Sequence, residues 1–275
     1  MKQFSTLYHS FPRRATPKLD DTYAKGLSIL RSILRFGLLV TPEVIKWQVR
    51  KSVEPTLVSQ KRACFTALDS DDLNAHARVF GPFAIGFERK ILEGIGATPV
   101  FYAPRDIESF KLKENIGSFY IEKIFQIKMF LYHNPRKFSV NSQSVSTDEL
   151  INFTNLLTGL FYPLEDTSRI NRETYYSQRE WRVLANLYHG KMALSRLLSD
   201  EEKATIKLID QEFFDREISV ANGRNRRIDL CAIISHFDGI LVRDSIKCVV
   251  APLDTKNILL SLLKEFKINP IVHWL

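Results

Sequence analysis

The sequence predicts an α+β fold with a mixed, mostly antiparallel sheet, flanking helices and a helical insertion. Short apolar runs with a two-residue period alternate with segments of helical periodicity along most of the chain. The 275 residues are 45% hydrophobic and 25% charged, an ordinary globular mixture that can bury a core. We therefore expect a single domain over residues 1–275, with the helical insertion at residues 107–164.

The first part of the chain alternates short strands with helices. Tyr8–Ser10 is predicted to form the first strand. Leu19–Phe36 has helical apolar spacing, and Gly37 is a natural stop because glycine adopts the left-handed cap conformation at little cost. Further elements are predicted at the following positions: strands at Arg62–Leu68, Phe83–Phe87 and Pro99–Tyr102, and short helices after Ser70 and at Arg89–Gly94.

The middle of the chain is predicted to be helical. Asn115–His133 is predicted to form an amphipathic helix that ends at Asn134-Pro135. Thr147 can cap a second helix at Asp148–Phe161, and Ser139–Ser146 between the two helices is polar and loop-like. Strands and helices then alternate again to the last residue. The predicted segments are strands at Tyr175–Ala185, Ile228–Ile234, Ile246–Ala251 and Pro270–Leu275, and helices from Ser199 and at Asp254–Phe266.

Composition and motifs narrow the class of function. The net charge of +8 is compatible with an acidic protein partner, a nucleotide or nucleic acid. The three cysteines form no CxxC pair and the six histidines show no ligand spacing, so we expect neither a disulfide framework nor a metal site. Phosphate-loop, dinucleotide-fold and zinc-hydrolase motifs are missing. The first residues lack an apolar signal core, and we expect a cytoplasmic protein without membrane contact.

Polar side chains on predicted strands are the candidates for chemistry. His9 and Ser10 on the first strand could hydrogen-bond a ribose or an amide, although a strand-end histidine with a satisfied hydrogen bond is the alternative. Thr66 interrupts an apolar strand, but threonine is also a good strand former. For His9, Ser10 and Thr66, a role in binding and a purely structural role both remain open.

The densest polar cluster is the segment from Gln178 to Arg182. Because alternate residues of a strand share a face, Gln178, Glu180 and Arg182 point one way while Trp181 points to the core. Glu180 and Arg182 could be a structural ion pair at a sheet edge. Alternatively, a carboxylate in a cleft could polarise a ribose hydroxyl and stabilise an oxocarbenium-like transition state.

Four segments resemble the AbiGi family of abortive phage resistance antitoxins. They are residues 63–68, 80–90, 98–102 and 178–182, and the start Tyr8–Ser10 and the helix Leu27–Gly37 stand where that family has a similar start and helix. Phe80, Thr98 and Gln178 depart from the residues usual in that family. The resemblance implies a component of an anti-phage, toxin–antitoxin system and a protein partner, which is a toxin, an antitoxin or a phage trigger.

The order of a histidine strand, a helix, a hydroxyl-bearing strand and a late glutamate strand is similar to ADP-ribosyltransferase-like folds. This similarity implies NAD as a substrate. The catalytic residues it implies are Glu180, Gln178 and His9, and the NAD-contacting residues it implies are His9, Ser10, Thr66, Tyr102 and Arg182. Fold similarity alone does not establish activity.

Three functions remain open from the sequence. The first is an ADP-ribosyltransferase-like effector that uses NAD. The second is a non-catalytic antitoxin or sensor that binds and neutralises a partner, with recognition by the insertion and its lysines at positions 111, 113, 123 and 128. The third, which ranks last, is a nucleic-acid regulator using the basic loop with Arg224, Arg226 and Arg227.

Overall fold

Alternating apolar residues account for the strands at the centre of the sheet. Phe83, Ile85 and Phe87 recur at every second position, and all three side chains are fully buried. A computed structural model provides the structure of the chain. It describes residues 5–12, 19–47, 56–103, 116–135, 137–140, 143–163, 179–185, 188–189, 192–220 and 223–275.

The strands in chain order are β1 Thr6–Phe11, β2 Leu38–Trp47, β3 Thr56–Ala67, β4 Phe83–Glu88, β5 Thr98–Pro99, β6 Phe101–Ala103, β7 Lys137–Val140, β8 Gln143–Ser146, β9 Phe161–Pro163, β10 Glu180–Leu184, β11 Tyr188–His189, β12 Met192–Ala193, β13 Arg196–Leu197, β14 Glu217–Val220, β15 Gly223–Arg226, β16 Ala232–Ile234, β17 His236–Phe237, β18 Ile240–Leu241, β19 Ile246–Ala251 and β20 Ile271–Trp274. The helices are α1 Leu19–Phe36, α2 Leu73–Phe80, α3 Arg89–Gly94, α4 Ile116–His133, α5 Thr147–Leu160, α6 Asp200–Lys207, α7 Gln211–Asp215, α8 Arg227–Leu230 and α9 Lys256–Glu265.

One large sheet organises the described part of the chain. Its strands follow the order β13-β16-β2-β3-β1-β4-β19-β20, and β10 pairs with both β3 and β5. The pairs are antiparallel except for β19 with β20, which is parallel. The predicted α+β class with a mixed, mostly antiparallel sheet and flanking helices is thereby confirmed.

Strand β3 is the branch point of this sheet. Strand β10 pairs along β3 from Arg62 to Thr66. Strands β2 and β1 both pair along the other edge, β2 up to Arg62 and β1 only at Thr66 and Ala67. The edge of β3 around Cys64 therefore faces a gap between β1 and β2.

The two faces of the sheet carry different layers. We call the face with Leu7 and Phe65 the α1 face, because Leu30 and Leu34 of α1 join these residues in one buried cluster. We call the opposite face, which carries Cys64, the α5 face, because the C-terminal end of α5 packs there. Helix α9 also packs on the α1 face through Leu259, Leu262 and Leu263.

Local signals explain where several helices begin and end. Gly37 ends α1 with φ of 109°, a left-handed conformation that favours glycine, as predicted. Ser199 caps α6 in a capping box with Glu202. The cap of α5 is Ser146, again in a capping box with Glu149, so the predicted cap Thr147 was wrong by one residue.

Other segments differ from the predictions. The predicted loop at Ser139–Ser146 is largely a hairpin, with Phe138 paired to Val145. The first residues of the predicted strand Ile228–Ile234 form the short helix α8, and only Ala232–Ile234 is extended. The division into a single domain with an insertion at residues 107–164 stays a prediction.

Candidate functional site

Glu180 and Arg182 lie on β10 with their side chains on the α5 face. Glu180 pairs with Thr66, and Arg182 pairs with Cys64. Arg182 Nε donates to Glu180 Oε1 at 3.0 Å, and the hydroxyl of Tyr102 donates to Glu180 Oε2 at 3.0 Å. Both oxygens of this buried carboxylate are therefore engaged by neighbouring side chains.

Arg182 also holds the end of α5. Its Nη1 donates to the carbonyl of Gly159 at 3.0 Å and lies 3.5 Å from the carbonyl of Phe161. The last carbonyls of a helix have no partner within the helix and carry partial negative charge, which a guanidinium satisfies. Arg182 is 0% exposed, so its buried guanidinium links β10 to the end of α5.

Arg62 forms the second half of the same network. Its Nη1 donates to Gln60 Oε1 at 3.0 Å, and its Nη2 donates to the carboxylate of Glu43. Burial disfavours the charge of Arg62, but Glu43 together with Cys64, Glu180 and Tyr162 outweighs that cost and raises its pKa. Arg62 thus remains a buried cation.

A tyrosine ring lies beside both arginines. The guanidinium carbons of Arg62 and Arg182 are 5.1 and 4.9 Å from the centre of the Tyr162 ring, within cation–π distance. We call this group the arginine–tyrosine cluster, and its members are Glu43, Arg62, Tyr102, Tyr162, Glu180 and Arg182. Two cations face two carboxylates in it, so the cluster is electrically balanced and ties α5 to the sheet.

The structure places His9 on the other side of the sheet from Glu180. Tyr8 and Glu180 both pair with Thr66 and share the α5 face, so His9, one residue on, points to the α1 face. Its Nδ1 donates to the carbonyl of Cys64 at 2.8 Å, and its ring lies 5.7 Å from that of Phe65. His9 thus provides a hydrogen-bond donor for the carbonyl of Cys64, at the point on the β3 edge where β1 and β2 diverge.

The side chains of Ser10 and Thr66 lie on the α5 face. Ser10 Oγ is hydrogen-bonded to His76 Nε2 of α2 at 2.9 Å. Burial lowers the pKa of His76 to about 4, so the ring is neutral at neutral pH. Thr66 is buried between its strand partners Tyr8 and Glu180.

The predicted site residues therefore fall into two groups. Tyr102, Glu180 and Arg182 come together in the arginine–tyrosine cluster, whereas His9 is separated from Glu180 by the sheet. Gln178 lies outside the described residues. NAD binding and ADP-ribosyl transfer stay predictions, as do the roles given to these residues.

A cavity of about 430 Å³ opens in the gap between β1 and β2. His9, Ser10 and Cys64 line it together with Arg62 and Glu43, so it reaches one edge of the arginine–tyrosine cluster. The opposite wall comes from α1 and from the α6–α7 segment. The sequence pattern gave no sign of this cavity, because it results from two strands pairing along one edge of β3.

The outer surface of α4 carries large apolar side chains. We call it the aromatic face of α4, and its residues are Phe119, Tyr120, Lys123, Ile127 and Phe130. Phe130 is 61% exposed, Ile127 53% and Tyr120 52%. The helix buries Ile121 and Leu131 on its inner side, so apolar residues surround it almost completely. That pattern was visible in the sequence.

The described residues show neither a metal-binding cluster nor a membrane-spanning helix. They contain no group of three or more histidine, cysteine, aspartate or glutamate side chains arranged to hold a metal ion. None of the helices built from them combines the length and apolar character needed to cross a bilayer.

Comparison with known proteins gives one match. A family model described as "Putative abortive phage resistance protein AbiGi, antitoxin" matches residues 40–218, more than half of the chain. The matched range contains the whole arginine–tyrosine cluster and α4. No curated protein and no solved structure matches the chain.

Proposed function

Because this chain belongs to the AbiGi family, we propose that it is an antitoxin of an abortive-infection system that neutralises a toxin partner by direct contact. The single observation that carries the proposal is the aromatic face of α4. Isolated exposed apolar residues are ordinary on protein surfaces, but a contiguous set on one helix face is typical of an interaction site.

The spacing on α4 supports a docking role for the helix as a unit. Phe119, Lys123 and Phe130 lie at positions i, i+4 and i+11, close to one line along the helix. An exposed helix that presents anchors with this spacing can lie in an apolar groove of a partner. Aromatic side chains are the commonest energetic anchors in such contacts.

Charge indicates the chemistry of the partner surface. Lys123 lies in the middle of the aromatic face, with its Nζ 5.2 Å from the centre of the Phe119 ring. The whole chain carries a net charge of +8. The partner surface that fits is an apolar groove bordered by carboxylates, because opposite charges speed and orient association.

The inner side of α4 supplies the rigidity that such a contact needs. Ile121 is fully buried with Trp47 and Val58 of the sheet. Lys128 donates to Asn155 of α5 at 2.8 Å. This hydrogen bond joins α4 to α5, which Arg182 in turn links to the sheet. A preorganised helix face loses little conformational entropy on binding.

The test is neutralisation of the cognate toxin that the proposal requires. The double variant Phe119→Ser with Phe130→Ser should remain folded, bind the toxin at least tenfold more weakly, and no longer protect growth when the two are co-expressed. The control is Leu208→Ser, which removes an apolar side chain that is 87% exposed and lies outside α4. It should bind and protect like the wild type.

Full protection and unchanged affinity in the double variant would rule out the aromatic face of α4 as the contact. Loss of protection in both variants would mean that exposed apolar residues act through stability or solubility and not through docking.

A further inference from the structure

The cavity between β1 and β2 has no role in the proposed contact. Its volume of about 430 Å³ lies in the range of about 300–1,000 Å³ that is usual for small-molecule sites. It forms because β1 and β2 pair along the same edge of β3 and diverge at Cys64. One part of its lining therefore follows from the sheet, and Ile209 and Asp210 of the turn between α6 and α7 belong to the rest.

Part of the cavity lining is apolar. This part is formed by side chains of α1 and of the α6–α7 segment, namely Ile29, Ile33, Phe36, Ile206, Phe213 and Phe214. Such walls favour a flat, apolar or aromatic group. Burial of this group releases free energy in proportion to its apolar surface, and few hydrogen bonds to water are lost.

The charged residues of the lining have an excess of positive charge. Four cationic side chains line the cavity, those of Lys25, Arg62, Arg216 and Arg227, against the carboxylates of Glu43 and Asp210. Both carboxylates are already engaged, because Arg62 donates to Glu43 while Lys25 donates to Asp210. Asp210 also accepts from the backbone N–H of Phe213 at 3.0 Å.

The backbones of Arg216 and Arg227, two of these four residues, adjoin at the base of the β14–β15 hairpin. The N–H of Arg227 donates to the carbonyl of Arg216 at 2.9 Å, directly beside the pair Glu217 and Arg226. The guanidinium of Arg227 lies 3.9 Å from the centre of the Phe213 ring. Arg216 is exposed and forms no ion pair with any residue that the structure describes.

We propose that this cavity binds a small amphipathic anion, with an aromatic or apolar body between α1 and α7 and its anionic group at Arg216 and Arg227. Two guanidinium groups suit a phosphate, sulfonate or carboxylate, whose oxygens accept several charge-assisted hydrogen bonds. The site is distinct from the aromatic face of α4 and does not depend on the toxin contact.

The test uses anilinonaphthalene sulfonate, an aromatic anion that becomes fluorescent in apolar sites. The full chain carries Phe119→Ser and Phe130→Ser, which removes two exposed aromatic side chains that could also bind the dye. Three further changes are compared in this background. Arg216→Gln removes the charge, Ser32→Trp fills the cavity from α1, and Arg224→Gln removes an arginine of the same hairpin that does not line the cavity.

The proposal requires saturable binding that both cavity variants weaken at least fivefold while Arg224→Gln changes it less than twofold. Unfolding curves confirm that each variant is folded, and Arg216→Lys should recover most of the affinity. The absence of saturable binding, a folded cavity variant that binds as well as its parent, or an equal loss with Arg224→Gln would overturn the assignment.

Discussion

Helices α1 and α4 have the same length of 18 residues but opposite surfaces. Helix α1 buries Leu30, Ile33 and Leu34 against the sheet, and most of its exposed positions are polar or charged. Helix α4 also buries one side, yet its exposed side carries Phe119 and Phe130. From Tyr23 to Phe36, the large apolar residues of α1 all lie in or against a buried cluster, whereas several of those in α4 are exposed.

This difference indicates what the outer side of α4 is for. Solvent-facing positions of a helix that only supports a fold are normally polar. Apolar residues at such positions cost solubility, and this cost is what the proposed docking role of the aromatic face of α4 explains. Helix α1 is mostly polar on its exposed side, whereas α4 carries large apolar side chains there.

The largest expected effect concerns the attachment of α4 and α5 to the sheet. Arg182→Ala leaves Glu180 buried without its cation and the end of α5 without its cap. We expect a loss of about 3–5 kcal/mol in the free energy of unfolding. Urea denaturation measures it. The exposed pair of Arg31 with Glu265 supplies the control, because Arg31→Ala should cost less than about 1 kcal/mol. A small loss for Arg182→Ala would show that the cluster does not anchor α5.

The comparison of the two helices can be tested directly by truncation. Leu30→Ala in α1 removes a fully buried side chain and should cost about 2–5 kcal/mol. Phe130→Ala in α4 should change the free energy of unfolding by no more than about 0.5 kcal/mol, because its side chain is mostly in water. If Phe130→Ala proves as destabilising as Leu30→Ala, that residue belongs to the core and not to a docking surface.

Helix α2 provides a third case, in which a helix is held by a buried polar contact. Burial lowers the pKa of His76 to about 4, whereas the pKa of a histidine in the unfolded chain is about 6.5. The unfolded state therefore binds the proton first as the pH falls, and stability present above about pH 6.5 is lost towards pH 4. Between pH 7.5 and 5.0 the loss from this group should be about 2 kcal/mol.

Urea denaturation at the two pH values tests this expectation. His76→Gln keeps a polar side chain beside Ser10 but has no proton to gain, so its stability should change less with pH than that of the wild type. Equal slopes in both proteins would mean that His76 titrates normally in the folded state.

The smallest effect concerns the start of α5. Ser146 accepts from the backbone N–H of Glu149, and Ser146→Ala removes this cap at a cost of about 1 kcal/mol. Ser28 on the exposed side of α1 bonds only to the carbonyl four residues earlier, so Ser28→Ala should be nearly neutral. Thermal unfolding of the two variants separates them, and a neutral Ser146→Ala would contradict the capping role.

Much of the fold was predictable because local signals and tertiary packing agree. The limits of α1 follow from its apolar stripe and from Gly37, and the sequence predicts both. Strand β2 was mostly missed, because Pro42 interrupts Leu38–Trp47 and proline is unusual inside a strand. The structure tolerates it because β16 pairs with β2 only from Leu38 to Val40, which leaves the edge at Pro42 outside that ladder.

The candidate site was predictable only in part. The two-residue period correctly places Glu180 and Arg182 on one face. It cannot show that Arg182 reaches the carbonyl of Gly159, since that contact joins residues 23 positions apart. Nor can it show that His9 and Glu180 lie on opposite faces, because the pairing of β1 and β10 with β3 fixes that relation.

The most direct test of the central claim is a photo-crosslinking comparison of α4 with α1. Benzoylphenylalanine replaces Phe130 in one protein and Arg31, an exposed residue of α1, in another, and each is irradiated with the cognate toxin. The proposed docking predicts a crosslink to the toxin from position 130 and none from position 31. Crosslinking from position 31 but not from position 130 would contradict it.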